Sequence, residues 1–144
     1  MTTAETVLAA LASRIAAALP PGAVFQRNGT LPVRIPATGA AILRDGEPGE
    51  AERLFSPPVW YFEHEAELDL VVEGGPEAAR LEALDVLRQS VAEALAADRS
   101  LGGLVDWCEP VAARSVDLAV DGGDGLRGLE VRILLAYAAA DSLG

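Results

Sequence analysis

The stretch from Val59 to Glu73, VWYFEHEAELDLVVE, alternates along its whole length. Phe62, His64, Ala66, Leu68, Leu70 and Val72 fall on one side, and Glu63, Glu65, Glu67 and Asp69 on the other. Successive side chains of a strand point to opposite faces, so this pattern predicts a long strand with one face in a core and one face charged. Such a strand belongs in a sheet whose apolar side is covered by other elements.

The remaining elements follow from period and punctuation. Leu8, Leu11, Ile15 and Leu19 are three or four apart, which predicts a helix over residues 3–19, with Thr2 and Glu5 as a capping box and Pro20, Pro21 and Gly22 as its stop. VFQRN at 24–28 and AAILR at 40–44 read as short strands, and residues 29–39 as a loop. Asp45-Gly46 and Glu47-Pro48-Gly49 signal turns, and the segment from there to Pro58 reads as an exposed loop. After Gly74-Gly75, Pro76 sits where a first helical residue belongs, and Leu81, Leu84, Leu87, Val91 and Leu95 form one stripe up to Ala97. LVDWCEPVAARSVDLAV predicts two short strands separated by Pro110, with Val116, Leu118 and Val120 alternating against Ser115, Asp117 and Ala119. DGGDG at 121–125 reads as a hairpin loop, and Leu129, Val131, Ile133, Leu135 and Tyr137 share one face of a last strand. The order predicts a single α+β domain over residues 1–144, a mainly antiparallel sheet with helices packed on one face.

Charge narrows the partners. Twenty-two acidic residues against 11 arginines leave a net charge of −11, which repels a phosphate backbone. No lysine occurs, a feature that fits a compositional bias more simply than a functional one. One cysteine, Cys108, excludes an intrachain disulfide and a multi-thiolate metal site, and suits a reducing cytoplasm. The first 22 residues lack the layout of a signal peptide, and no apolar run approaches the roughly 18 residues of a membrane span.

The run EHEAELD is the densest concentration of reactive side chains. A metal site built from it would need ligands on opposite faces of a sheet, because His64 points away from the carboxylates and no second histidine exists. Alternate carboxylates about 7 Å apart approach the spacing of an inverting glycosidase. A general acid, however, needs burial to hold its proton, and four acids in a row on a wet face lack it. The simpler reading is a solvated or partner-facing surface whose mutual repulsion is relieved by neighbouring arginines. His64 reads as a satisfied core or interface histidine, and Cys108 as a small apolar side chain. DGGDG lacks the lysine and following helix of a phosphate loop. Phe55, Trp60 and Tyr61 stand beside Pro57 and Pro58, where aromatics serve as core or as interface anchors. The residues therefore point to a binding or assembly module rather than to an enzyme.

Several segments in order carry a resemblance: LRDGEPGE, YFEHEAEL, DRSLGGLVDW and a closing Y-x-x-x-D-x-L-G. Together they run over almost the whole chain, and the chain resembles the small tail terminator proteins of long-tailed phages and phage-like gene transfer agents. The resemblance implies a sheet flanked by helices that assembles as a homohexameric ring on the last ring of the tail tube, stops its polymerisation and meets the head-closure or neck proteins. It implies no cofactor, no metal and no reaction, a place at the tail–neck junction of a particle assembled in the bacterial cytoplasm, and DNA passing through the lumen without specific binding. The acidic ladder would then line a channel or pair with arginines of the next subunit. The expected subunit or tube contacts are Arg44, Asp45, Glu47, Phe55, Trp60, Tyr61, Glu63, Glu65, Glu67 and Asp69. Another neck or head–tail joining protein is the alternative within this class; a small cytoplasmic enzyme using the Glu63–Asp69 carboxylates is the alternative outside it. The ending AAAD departs from the threonine run such proteins carry before Asp141, and the missing β-branched residues predict that pairing stops short of Ala140.

Overall fold

The computed structural model describes residues 1–30, 32, 34–118 and 125–144, the side chains of residues 117 and 118 excepted. The expected strand position Val120 and all of the DGGDG loop but Gly125 lie outside the described residues, as do two positions of the expected 29–39 loop. Two helices, α1 (Thr3–Ala18) and α2 (Glu77–Ala97), pack on one face of a six-stranded sheet. The strands are β1 (Val24–Arg27), β2 (Ala40–Glu47), β3 (Glu52–Leu54), β4 (Val59–Glu73), β5 (Trp107–Leu118) and β6 (Leu126–Ala139). Their order is β1-β2-β4-β6-β5, with β3 paired to the start of β4. Among the described residues only β1 and β2 run parallel, so the α+β reading with a mainly antiparallel sheet holds.

β4 is the spine of the molecule. Its alternation places Phe62, His64, Ala66, Leu68, Leu70 and Val72 under the helices, all buried, while Glu63, Glu65 and Glu67 are exposed on the other face. β6 pairs with it from Trp60↔Ala139 to Glu73↔Leu126 and adds Leu129, Val131, Ile133, Leu135 and Tyr137 to the same core. The ladder stops at Ala139, one residue short of Ala140.

The helices complete this core with single stripes. In α1 the Thr2 hydroxyl accepts from the Glu5 N–H at 3.1 Å, but the Glu5 carboxylate turns away to Arg27, so only half of the capping box forms. Val7, Leu8, Leu11 and Ile15 are buried. In α2 Pro76 is the N-cap rather than the first helical residue, and Leu84, Leu87, Val91 and Leu95 are buried. Leu81, expected in this stripe, is 47% exposed. Counting back from Leu95 by 4, 4, 3 and 4 residues reaches Arg80, which is half-buried, so Leu81 sits beside the stripe.

Three other expectations change. The turn at 45–49 is instead the end of β2, which continues to Glu47 through a bulge between Arg44 and Glu47. Gly46 has φ +67°, and a Cβ there would lie 1.9 Å from the Glu65 carbonyl oxygen, so only glycine fits. The expected loop before Pro58 contains β3, whose three residues are all exposed and so carry no alternation to read. β5 is one strand and not two. Pro110 stands at a bulge of this edge strand, where its missing N–H costs no inner ladder bond. The bulge also sets register, so that Val116 lies opposite Gly128 on the helix-free face. At one end of that face Ile35, from the 29–39 segment, packs on Ala40 and Val71 in a small second core.

Candidate assembly surface

Cross-strand register arranges the helix-free face in charged rows, the first alternating in sign and the second setting Asp69 opposite Glu130 with like charge. Arg44, Glu67, Arg132 and Ala112 form one row across β2, β4, β6 and β5; Ile42, Asp69, Glu130 and Arg114 form the next. Arg44 pairs with Asp69, Arg132 Nη1 lies 3.3 Å from Glu65 Oε2, and Arg114 Nη2 lies 2.5 Å from Glu130 Oε2. Two of the four ladder carboxylates therefore find their arginines within the chain, across strands, as the repulsion argument requires. Exposed pairs of this kind contribute about 0–1 kcal/mol each, so they order the face more than they stabilise the fold. A shallow depression of about 580 Å³ lies over them. Glu63 and Glu67 close no ion pair among the described residues, although Glu67 stands between Arg44 and Arg132 in its row, and Glu47 stands opposite Glu65 with like charge.

His64, by contrast, lies on the buried side at 3% exposure. Its Nε2 is 2.5 Å from the Asp45 carbonyl oxygen and its Nδ1 is 2.9 Å from the Tyr137 hydroxyl. A carbonyl can only accept, so Nε2 carries the proton and Nδ1 accepts from Tyr137. The ring thus clamps the β2 bulge from below. Asp45 is held from two more directions: its N–H donates to Asn28 Oδ1 at 3.0 Å and its carboxylate accepts from Arg27 Nε at 3.0 Å. Arg27 also grips Glu5 through two bonds of 2.8 and 2.9 Å, which holds the Glu5 carboxyl below its ordinary range and raises the guanidinium's pKa. Asp45 is therefore a structural anchor whose side chain is engaged within the chain.

The aromatic residues separate. Phe55 is 71% exposed at the tip of the β3–β4 hairpin, whose turn contains a cis Ser56–Pro57 bond. The Arg53 guanidinium lies 5.0 Å from the Phe55 ring and 5.5 Å from the Trp60 ring, so the tip is ordered by cation–π contacts. Trp60 is half-buried against the main core. Tyr61 is half-buried on the helix-free side, where burial first, then Asp106, Glu63 and Glu52, pushes its hydroxyl pKa up.

The four segments of the resemblance, far apart in sequence, meet at one end of the sheet. LRDGEPGE forms the bulged end of β2 against Glu65 and Glu67; YFEHEAEL begins β4; the closing tyrosine segment ends β6 against Trp60 to Phe62. DRSLGGLVDW is the turn entering β5, joined to β6 by the Asp106 N–H to the Ala136 carbonyl at 2.8 Å. That turn is built on Asp98, whose carboxylate accepts from the Ser100 N–H and hydroxyl and the Gly102 N–H; these bonds, the Ser100 hydroxyl foremost, hold its pKa well below the usual carboxylate range. Leu104 and Trp107, 41% and 45% exposed, stand beside it.

Of the expected contact residues, Glu47, Phe55, Glu63, Glu65 and Glu67 are exposed, Arg44, Trp60, Tyr61 and Asp69 are half-buried, and Asp45 is an anchor. Sequence reasoning missed Arg114, Glu130 and Arg132, although the alternation L-E-V-R-I in β6 displays two of them on the charged face. Among the described residues no group of three or more His, Cys, Asp and Glu is placed to hold a metal ion, and no helix is long and apolar enough to cross a membrane. Cys108 is buried, and burial pushes its thiol up to about 11. No protein-family model matches the chain, and a search of curated proteins finds no match.

Proposed function

We propose that this protein is a tail terminator, a structural subunit that closes into a ring on the end of a phage or gene-transfer-agent tail tube, stops tube growth and receives the head-closure proteins. The observation that carries this reading is the convergence of the four resembling segments on one end of the sheet, beside an exposed Phe55 and unpaired Glu63. These segments supply core residues there, among them Leu43, Phe62, Leu101 and Tyr137, and between them the exposed Glu47, Glu63, Glu65, Glu67 and Leu104, which a neighbour can reach. A closed ring requires two different patches that fit each other, and this end supplies one: an ordered aromatic tip with a carboxylate rim, the combination of anchor and charge that gives an interface its affinity and register.

The test is sedimentation of purified protein with isolated tail tubes. A ring-sized complex on tube ends supports the reading, and Phe55→Ser should reduce it about tenfold, the usual cost of losing an aromatic anchor. Alanine at Trp60 or Tyr61 should act in the same direction. Protein that never associates with tubes, at any ratio, contradicts the proposal.

A further inference from the structure

The chain holds one asparagine, Asn28, and a glycine follows it. The pair stands just past the end of β1, against the Asp45 anchor. Asn28 is exposed; its Oδ1 accepts from the Asp45 N–H at 3.0 Å, and its own N–H donates to the Leu43 carbonyl at 2.7 Å. Among the described residues neither Asn28 Nδ2 nor the Gly29 N–H makes a hydrogen bond. The side-chain carbonyl is therefore polarised by a fixed donor, its nitrogen is free to leave, and the next backbone nitrogen is unengaged.

We infer that Asn28 is a site of spontaneous deamidation in the folded protein, and that its conversion loosens Asp45. Asparagine is among the thermolabile side chains, and attack by the following backbone nitrogen closes a five-membered ring without any encounter between molecules. Glycine at 29 leaves that nitrogen uncrowded. The Gly29 amide gives its proton to hydroxide and bonds to Asn28 Cγ; the Cγ–Nδ2 bond breaks, and the nitrogen leaves as ammonia with a proton from water. The Asp45 N–H, already in place, stabilises the oxyanion that develops on Oδ1. Water then opens the cyclic imide at one of its two carbonyls, giving aspartate or isoaspartate, with no oxidation or reduction. In isoaspartate the main chain runs through the former side chain, which takes the acceptor away from Asp45. Asp45-Gly46, a pair of the same kind, is shielded: Arg27 Nε holds its carboxylate at 3.0 Å, a carboxylate is a poorer electrophile than an amide, and the Glu65 carbonyl closes over Gly46. The proposal does not depend on the tail-terminator reading.

The test is peptide mapping by mass spectrometry of the full chain, held folded for days at pH 8, with the exposed amide of Gln89 as internal reference. Asn28 should convert at least about tenfold faster than Gln89, whose longer side chain closes a ring less readily, and isoaspartate should be among the products. Gly29→Ala should slow the conversion about tenfold by crowding the attacking nitrogen. The added Cβ meets Gln26, chiefly its Oε1 at 2.5 Å, and the end of that flexible side chain can move aside, so the variant keeps the fold. In the isoaspartate form, hydrogen exchange of the Asp45 amide should quicken about tenfold, since it has lost its acceptor. Intact Asn28, conversion no faster than that of Gln89, an unchanged rate in Gly29→Ala, or unchanged exchange at Asp45 would overturn the proposal. So would conversion in urea but not in the folded chain, which would make the Asp45 hydrogen bond a protection of the amide.

Discussion

Replacing His64 with leucine removes both bonds of the ring that clamps the β2 bulge. The Asp45 carbonyl and the Tyr137 hydroxyl would then lose partners at 2.5 and 2.9 Å in a region where His64 itself is 3% exposed. Each orphaned buried group costs about 1–3 kcal/mol, and the leucine recovers about 1 kcal/mol through added apolar burial. The net loss is about 1–5 kcal/mol, centred near 3. Urea denaturation followed by tryptophan fluorescence reads this directly. With a slope of about 2 kcal/mol per molar, the midpoint should fall by about 1.5 M. Tyr137→Phe sharpens the test. Alone it strips His64 Nδ1 of its donor and should destabilise, whereas in the His64→Leu background it removes an orphaned hydroxyl and should cost less by at least about 1 kcal/mol. A leucine variant as stable as the parent, or strictly additive costs in the double variant, would refute the clamp.

Gly46→Ala should cost more than about 2 kcal/mol, since the left-handed φ of +67° alone costs about 1–2 kcal/mol and the added Cβ meets the Glu65 carbonyl; thermal denaturation checks it, and an unchanged melting temperature would contradict the bulge. Asp98 has a depressed pKa in the folded state, so its contribution is complete above the ordinary carboxylate pKa of 3.8 and is lost as pH falls toward the folded value. Asp98→Asn should therefore be less stable than the parent at pH 7, with the gap narrowing below about pH 4; denaturant melts across pH 2.5–7 measure it, and a constant gap would be the wrong sign for the argument. Cys108 should resist alkylation at pH 8 in the folded protein and react when urea unfolds it, because burial places its thiol near 11; rapid labelling without denaturant would contradict this.

The parts of the fold that could be read from the sequence are those whose signal is local. β4 shows its period of two and α2 its stripe within their own residues, and both faces of β4 emerged with the predicted occupants. β3 could not be read, since three exposed residues form a strand only because Val59–Tyr61 lies beside them. Pro110 suggested a break and is a bulge, because the strand's edge position, a property of the sheet, decides whether a missing N–H matters. The site shows the same division. The acidic ladder was visible, but its arginines were not: Arg132 stands 67 residues from Glu65 in sequence, and register alone brings them together. Asp45 looked like a surface contact in a turn, and became an anchor once Arg27 and Asn28 closed on it from the end of β1 and His64 from within β4.

The tail-terminator proposal is tested most directly by electron microscopy of particles from a producing strain in which this reading frame is deleted. The account predicts heads without tails beside tail tubes of uncontrolled length, with normal particles restored when the frame is supplied in trans. Particles of normal length and normal gene-transfer or infectious activity in the deletion would contradict it, and the carboxylates from Glu63 to Asp69 would return to consideration as an active site.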